Sequence, residues 1–516
     1  MIDASRKQKE VGGMSHLTNR LIDLAGEPAR IRIWFEEQAC TGRQLWQDAA
    51  SVARRLHEAG VRPGQRVVVM LSNSYTFAAV YIALLCMGAV VCPLHPELSQ
   101  QEADTAIGRS GASAAIAGPD CPVRFSIPLV RLPLSGPLPD PAGNNYRRAV
   151  ADPSLVSAAC RWDPLVSDVP EDAPAVLMYT SGTTGTPKGV LLTHGQLWAA
   201  ANNVIASHRL SPDDVAYCIL PLFHINAQVI VLLSTLLSGG QLVMARRFSA
   251  SRFWDDIARF GVTWVSAVPT VLNILLRREG PDATPSRLRF VRSASAPLAV
   301  AHWQAFERRF RVPVVESYGM TEAAGQICTN PLPPEQRKPG SVGLPVGIDL
   351  RICDDAGRPL PPGRTGEIQI RGSSVIERYE SGGTDSFADG WLRTGDLGFQ
   401  DDDGYVYITG RRKELINRAG EKFSPREVEE VLLRHPGVHA AAVIGVPDEL
   451  YNERVVAFVE AVPGTGTAEV ERELQAMCES ALVRFKCPAQ YVWSTNLPRG
   501  ANGKIRRQLL QRMMGD

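Results

Sequence analysis

The chain has 516 residues, 45% hydrophobic and 21% charged, with a formal net charge of +1. That length exceeds what a single core supports, so two or more domains are expected, with the composition of an ordinary soluble globular protein. The near-neutral balance provides no global field to attract nucleic acid or an anionic membrane, so any phosphate chemistry must come from individually placed residues.

Taken in chain order, the first stretch, Met1 to Gly13, is charged and lacks an apolar signal segment; residues 1–14 read as a flexible tail, with Met14 as an alternative start. Arg66 to Met70 is a compact β-rich run, followed by a helix beginning near Ser74. Phe77 to Leu94 is uncharged and nearly long enough to cross a bilayer. Gly88 and Pro93 interrupt it, however, and Ala89 to Cys92 has strand character, so a buried helix followed by a parallel strand is expected. Ala175 to Met178 is another strand, running into a Gly/Thr-rich loop.

Between Gly340 and Tyr407 the texture becomes β-rich, with runs at Glu367 to Arg371 and Tyr405 to Ile408 separated by Gly and Asp turns. A boundary is expected at Gly410 to Lys413, before a helix over Ser424 to Arg434. There Ser424 is the N-cap, Pro425 suits the first turn and Glu427 completes a capping box. Val443 to Val446 and Val455 to Val459 supply late strands. The alternation predicts an α/β protein: a large N-terminal domain of α/β layers with a β-rich subdomain (15–409), a hinge (410–413) and a small mobile α+β C-terminal domain (414–516). Of the 10 Cys none forms a CxxC pair; Cys86, Cys92, Cys218 and Cys353 lie in apolar or strand-like runs, which suits reduced buried thiols in a reducing, cytoplasmic compartment.

The loop after the Ala175 strand is the most informative stretch. Gly182, Gly185 and Gly189 let backbone amides approach an anion. Thr180, Ser181, Thr183, Thr184 and Thr186 offer hydroxyl donors, and Lys188 adds a point charge. A Walker A loop is excluded, because Pro187 precedes Lys188 and Gly189 follows it.

This loop resembles the signature of the adenylate-forming superfamily of acyl-CoA synthetases, luciferases and peptide-synthetase adenylation domains, and further motifs of that family follow in order from about residue 15 to 510. The resemblance implies a ligase that uses ATP to activate a carboxylic acid as acyl-AMP, releases pyrophosphate, and transfers the acyl group to coenzyme A. The alternative acceptor is the phosphopantetheine thiol of a carrier protein; nothing like a carrier domain follows Asp516, which favours CoA.

The resemblance also implies roles for individual residues. In the segment Glu316 to Glu322, Tyr318 would present a flat face to adenine beside Ser317 and Gly319, Thr321 would bond the α-phosphate, and Glu322 would ligate Mg2+. Ser295 and Ala296 would flank adenine, although the family more often has Gly where Ser295 stands. Asp396, closing the motif from Trp391, would accept both ribose hydroxyls, with Arg411 as an added donor.

Lys504, in the motif from Leu497, would bridge the attacking carboxylate and the α-phosphate; the residues Gly500 to Asn502 depart from the usual stem. Lys413 would be the hinge residue, and Gly420 would admit pantetheine, with Glu421 and Lys422 departing from the usual neighbours. His224, after Pro221, would stand at the mouth of the acyl pocket, contacting the substrate carboxylate or gating the thiol path. Asn226, Ala227, Gln228, the run Val229 to Leu233, and Ser266 to Val268 would line that pocket, which suits a largely apolar acid with one or two polar handles; no placed Arg or Lys demanding a dicarboxylate is evident.

Overall fold

The computed structural model describes residues 15–25, 32–36, 38–134, 168–180, 187–278, 287–381, 384–462, 467–500 and 505–515. The chain forms two compact units that are not consecutive stretches: Met1–Ser266 with Met320–Gln326 and Ser373–Thr384, and Ala267–Gly319 with Ile327–Gly372 and Asp385–Asp516.

In the first unit a six-stranded sheet runs in the order Leu129–Arg131, Ala114–Ala117, Arg66–Met70, Val90–Pro93, Pro174–Thr180 and Lys188–Thr193. The first five strands are parallel, and the last turns back antiparallel. Parallel strands covered on both faces read as unbroken apolar runs, which is why Arg66–Met70 and Val90–Pro93 stand out in the sequence. Between them the Tyr75–Cys86 helix is buried at every residue, and Ser74 caps it by accepting from the Phe77 N–H. The uncharged stretch from Phe77 is therefore core, and no helix among the described residues is long and apolar enough to cross a membrane.

The same unit holds a second run of strands. Val215–Cys218 pairs in parallel with Gln241–Met244 and Trp264–Ala267, and Gln241–Met244 with Arg32–Phe35, which makes a hairpin with Gln38–Thr41. Beyond Cys218 the chain enters a π-helix, Asn226–Leu233, buried throughout. Such wide turns recur at functional sites because they redirect side chains within an otherwise regular helix.

In the second unit Phe290–Ser293 and Val314–Tyr318 are parallel, extended antiparallel by Cys328–Thr329 and Leu344–Pro345. The expected β-rich segment is an antiparallel sheet of Asp349–Cys353, Gly366–Arg371, Trp391–Gln400, Phe387–Ala388 and Val406–Arg411. The Pro425–Leu432 helix begins with the expected capping box on Ser424. A Cβ on Gly410 would lie 2.2 Å from the Ser424 hydroxyl oxygen, so glycine is what lets the end of the Val406 strand approach this cap.

The C-terminal sheet consists of Val438–Asp448, Asn452–Ala461 and Gln490–Ser494. Its two-residue alternation sorts the side chains. Ala441, Val443, Val455, Ala457 and Val459 pack with Val428, Leu432 and Leu474. On the other face Ala442, Ile444, Val446, Val456 and Phe458 pack with Leu497 and Leu510. Phe458 is 1% exposed. Phe458→Ala is expected to lower the stability of this unit by about 3–5 kcal/mol, because it leaves a cavity in a two-faced sheet that cannot collapse to fill it. Urea unfolding followed by circular dichroism checks this, and an unchanged midpoint would contradict it.

Candidate active site

The antiparallel pair Pro174–Thr180 and Lys188–Thr193 brings Thr180 opposite Lys188 in register, so the strands flank the mouth of the Gly/Thr loop. Ser181, Gly182, Thr183, Thr184, Gly185 and Thr186 lie outside the described residues. The Lys188 ammonium stands 4.4 Å above the centre of the Tyr379 ring. The Tyr379 hydroxyl donates to Oε1 of Glu322 at 3.0 Å. Glu322 is 6% exposed and sits in a short 3-10 turn, Thr321–Ala323, with its own carbonyl accepting from the Ile376 N–H at 2.9 Å.

Two further contacts fix the Tyr379 segment. The Glu380 N–H donates to the Gly189 carbonyl at 2.9 Å, and the Glu380 carboxylate pairs with the Arg66 guanidinium. A Cβ on Gly189 would come within 2.9 Å of that carboxylate, so the glycine after Lys188 permits the approach. Sequence reasoning missed Tyr379, Glu380 and Arg66. Tyr379 and Glu380 lie in a polar stretch without periodic or motif signal, Arg66 heads an apolar strand, and only the tertiary pairing reveals them.

On the acyl side, the turn Pro221 to His224 is held by Asn73. The Asn73 amide donates to the carbonyls of Leu220 at 2.9 Å and Ala245 at 3.1 Å, and its oxygen accepts from the Leu222 N–H at 2.7 Å. The Phe223 ring lies 4.5 Å from both His95 and His224, centre to centre, and the His224 N–H closes the turn onto the Pro221 carbonyl. In the π-helix the structure brings Asn226 and Ser266 together: the serine hydroxyl donates to the Asn226 oxygen at 3.1 Å. Gln228 donates to the Leu222 carbonyl at 2.8 Å, and its own side-chain oxygen is buried with no hydrogen-bond partner among the described residues. Ala227 and the run Val229–Leu233 are buried.

In the second unit Tyr318, Asp396 and Arg411 come together. The Tyr318 hydroxyl donates to Oδ2 of Asp396 at 2.5 Å, Arg411 Nε reaches Oδ1 at 2.9 Å, and Asp396 and Arg411 face each other in register on neighbouring strands. Burial and the Asp396 carboxylate push the Tyr318 hydroxyl well above its usual range, and the same carboxylate raises Arg411. Ser317 shares a hydrogen bond with Thr329 at 2.7 Å, across the strand pair that ends at Tyr318 and Gly319. Ser295 has φ 74°, the left-handed region, which gives the physical reason for the family's glycine there; Ala296 follows it half-buried.

The remaining expected residues lie toward the C-terminus. Lys413 occupies a 3-10 turn, Arg412–Glu414, and is exposed. Gly420, φ 91°, turns the hairpin Ile416–Arg418 and Glu421–Phe423. Lys504 lies outside the described residues. The stem of its loop is fastened by Glu460, which accepts from the Leu497 N–H at 3.2 Å and from Arg499 at 3.0 Å.

Glu322 fits a magnesium ion by its chemistry: a buried hard-oxygen ligand anchored by its own carbonyl. Among the described residues no group of three or more His, Cys, Asp or Glu could hold a metal alone. A single carboxylate suffices for an ion that completes its shell with phosphate and water.

The chain belongs to the AMP-binding enzyme family: the main domain of that family matches residues 23–380 and its C-terminal domain residues 427–504. Within it, the chain is an AMP-forming acid–CoA ligase. It is similar to the sulfoacetate–CoA ligase of Cupriavidus necator, 42% identical over 475 residues and 91% of each chain. It is 37% identical to the oxalate–CoA ligase of Arabidopsis thaliana over 472 residues, 89% of this chain and 90% of that one. Among solved structures, O-succinylbenzoate coenzyme A synthetase from Bacillus subtilis, in complex with ATP and a magnesium ion, superposes with TM-score 0.79 at 28% identity, covering 96% of this chain and 99% of that one.

One buried acid in this region was given no role by the sequence. Glu316 accepts from the Leu298 N–H at 3.2 Å, and burial pushes its carboxyl up from 4.5 to about 7, against the opposing pull of Arg426. A raised carboxyl means that the folded chain keeps a proton which the unfolded chain has released. Its contribution to stability is therefore full below pH about 4.5 and is lost as pH rises toward 7. Glu316→Gln is expected to flatten the fall in thermal midpoint between pH 5 and pH 8. Calorimetric midpoints across that range check it, and an unaltered slope would contradict it.

Proposed function

We propose that the acid activated here carries a second acidic group. The relatives carry this reading. Sulfoacetate, oxalate and succinylbenzoate each bear a second acidic group.

In this account Thr180, Ser181, Gly182, Thr183, Thr184 and Gly185 cradle the ATP phosphates, Lys188 adds the cation, and Thr321 bonds the α-phosphate. Glu322 would hold Mg2+, which when bound would neutralise phosphate charge. Asp396 takes the ribose hydroxyls with Arg411, while Tyr318, Ser295, Ala296, Ser317 and Gly319 surround adenine. His224 orients the carboxylate, and Asn226, Ala227, Gln228 and Ser266 line the acyl side. A carboxylate oxygen attacks the α-phosphorus and pyrophosphate leaves; Lys504 offsets the repulsion between the two anions.

The CoA sulfur then attacks the acyl carbon, losing its proton, and AMP departs with the oxygen that had come from the acid. Rotation of residues 414–516 about Lys413 exchanges Lys504 for the Gly420 hairpin between the two steps. Nine cysteines among the described residues are free, which supports a reducing, cytoplasmic setting.

The test is an acid panel read by ATP–pyrophosphate exchange and by CoA thioester formation, comparing oxalate, sulfoacetate, malonate and 2-succinylbenzoate with acetate and hexanoate. The diacids are expected to have the higher kcat/KM. A preference for monoacids in the wild-type enzyme would overturn the reading.

A further inference from the structure

Tyr379 touches two of the residues assigned to ATP chemistry by different parts of one side chain. Its ring face lies under the Lys188 ammonium at 4.4 Å, and its hydroxyl donates to Glu322 at 3.0 Å. The segment bearing it is pinned to the backbone at both of those partners: Ile376 N–H to the Glu322 carbonyl, and Glu380 N–H to the Gly189 carbonyl, each at 2.9 Å. The Arg66 pair with Glu380 ties the same segment to the central parallel strand of the sheet. This is a clamp built by backbone bonds on both sides, and the tyrosine is its contact element.

We propose that Tyr379 is a positioning residue that sets Lys188 and Glu322 before ATP and its metal arrive; the inference rests on the reading that Lys188 meets phosphate and Glu322 meets Mg2+. A lysine is a point charge on a long flexible stem, and a carboxylate can turn either oxygen outward. Left to themselves, an ammonium and a carboxylate at one site tend to pair with each other. The aromatic face offers the ammonium an attraction weak enough to surrender to phosphate. The phenol hydroxyl occupies one carboxylate oxygen and so orients the other. Groups set in advance lose less entropy when the ligand binds.

The full-length enzyme tests this with Tyr379→Phe and Tyr379→Leu, using calorimetric binding of ATP at controlled free Mg2+, binding of Mn2+ followed by electron paramagnetic resonance, and pyrophosphate exchange. Tyr379→Phe keeps the ring and loses the hydroxyl. It is expected to raise the metal concentration for half-saturation about tenfold, the scale of one hydrogen bond to a charged group, with KM for ATP at saturating metal unchanged. Tyr379→Leu loses the ring as well, and is expected to weaken ATP binding in addition, at saturating metal, by about three- to tenfold.

A merely structural tyrosine would lower the thermal midpoint and alter both terms together. An unchanged metal requirement in Tyr379→Phe overturns the inference, as does an identical effect of the two variants on both terms. Should Tyr379→Leu fail to fold, the metal titration of Tyr379→Phe decides alone. Glu322→Gln separates the two levels. If it leaves the metal requirement unchanged, the underlying assignment of Glu322 fails; if it raises that requirement while Tyr379→Phe does not, only the role of Tyr379 fails.

Discussion

A carboxylate must attack a phosphorus surrounded by negative oxygens, and the charged groups expected at the site answer to that repulsion. Two unit charges 4 Å apart interact by about 4 kcal/mol at the effective dielectric of a protein surface, and by more where water is excluded. Cations and carboxylates expected at one site must therefore be held in defined places relative to one another. In the first unit the Tyr379 ring faces Lys188 and its hydroxyl donates to Glu322. In the second a strand register pairs Arg411 with Asp396 on neighbouring strands.

The two arrangements differ in kind. The ring meets Lys188 with its face, an attraction of a scale that phosphate oxygens can outcompete. Asp396 is held by two donors, the Tyr318 hydroxyl and the Arg411 guanidinium. Its rigid placement suits recognition of a pair of hydroxyls at fixed spacing, where geometry matters more than charge. The linkage of Tyr318 to Asp396 also ties the flat face expected for adenine to the carboxylate expected for ribose. A change at either residue should therefore be felt at both.

Much of this was legible in the sequence because it is local. The capping box at Ser424, the buried helix after Ser74 and the late strands at Val443 and Val455 follow from local pattern alone, and the structure has them all. Motif order carried the family and the ligase class. Long-range pairing was not legible: Tyr379 lies 191 positions beyond Lys188 and 57 beyond Glu322, and nothing in its neighbours announces either contact. Ser295 shows the reverse case, a departure from glycine noticed in the sequence and explained by a backbone φ of 74°.

The central claim is that the acid's own oxygen attacks the α-phosphorus and leaves with AMP. The direct test uses an acid labelled with 18O in its carboxylate, turned over with ATP and CoA, with AMP and pyrophosphate analysed by mass spectrometry. The account predicts one labelled oxygen in AMP and none in pyrophosphate, with the other retained in the thioester carbonyl. Label in pyrophosphate or in free phosphate, or unlabelled AMP, would contradict it.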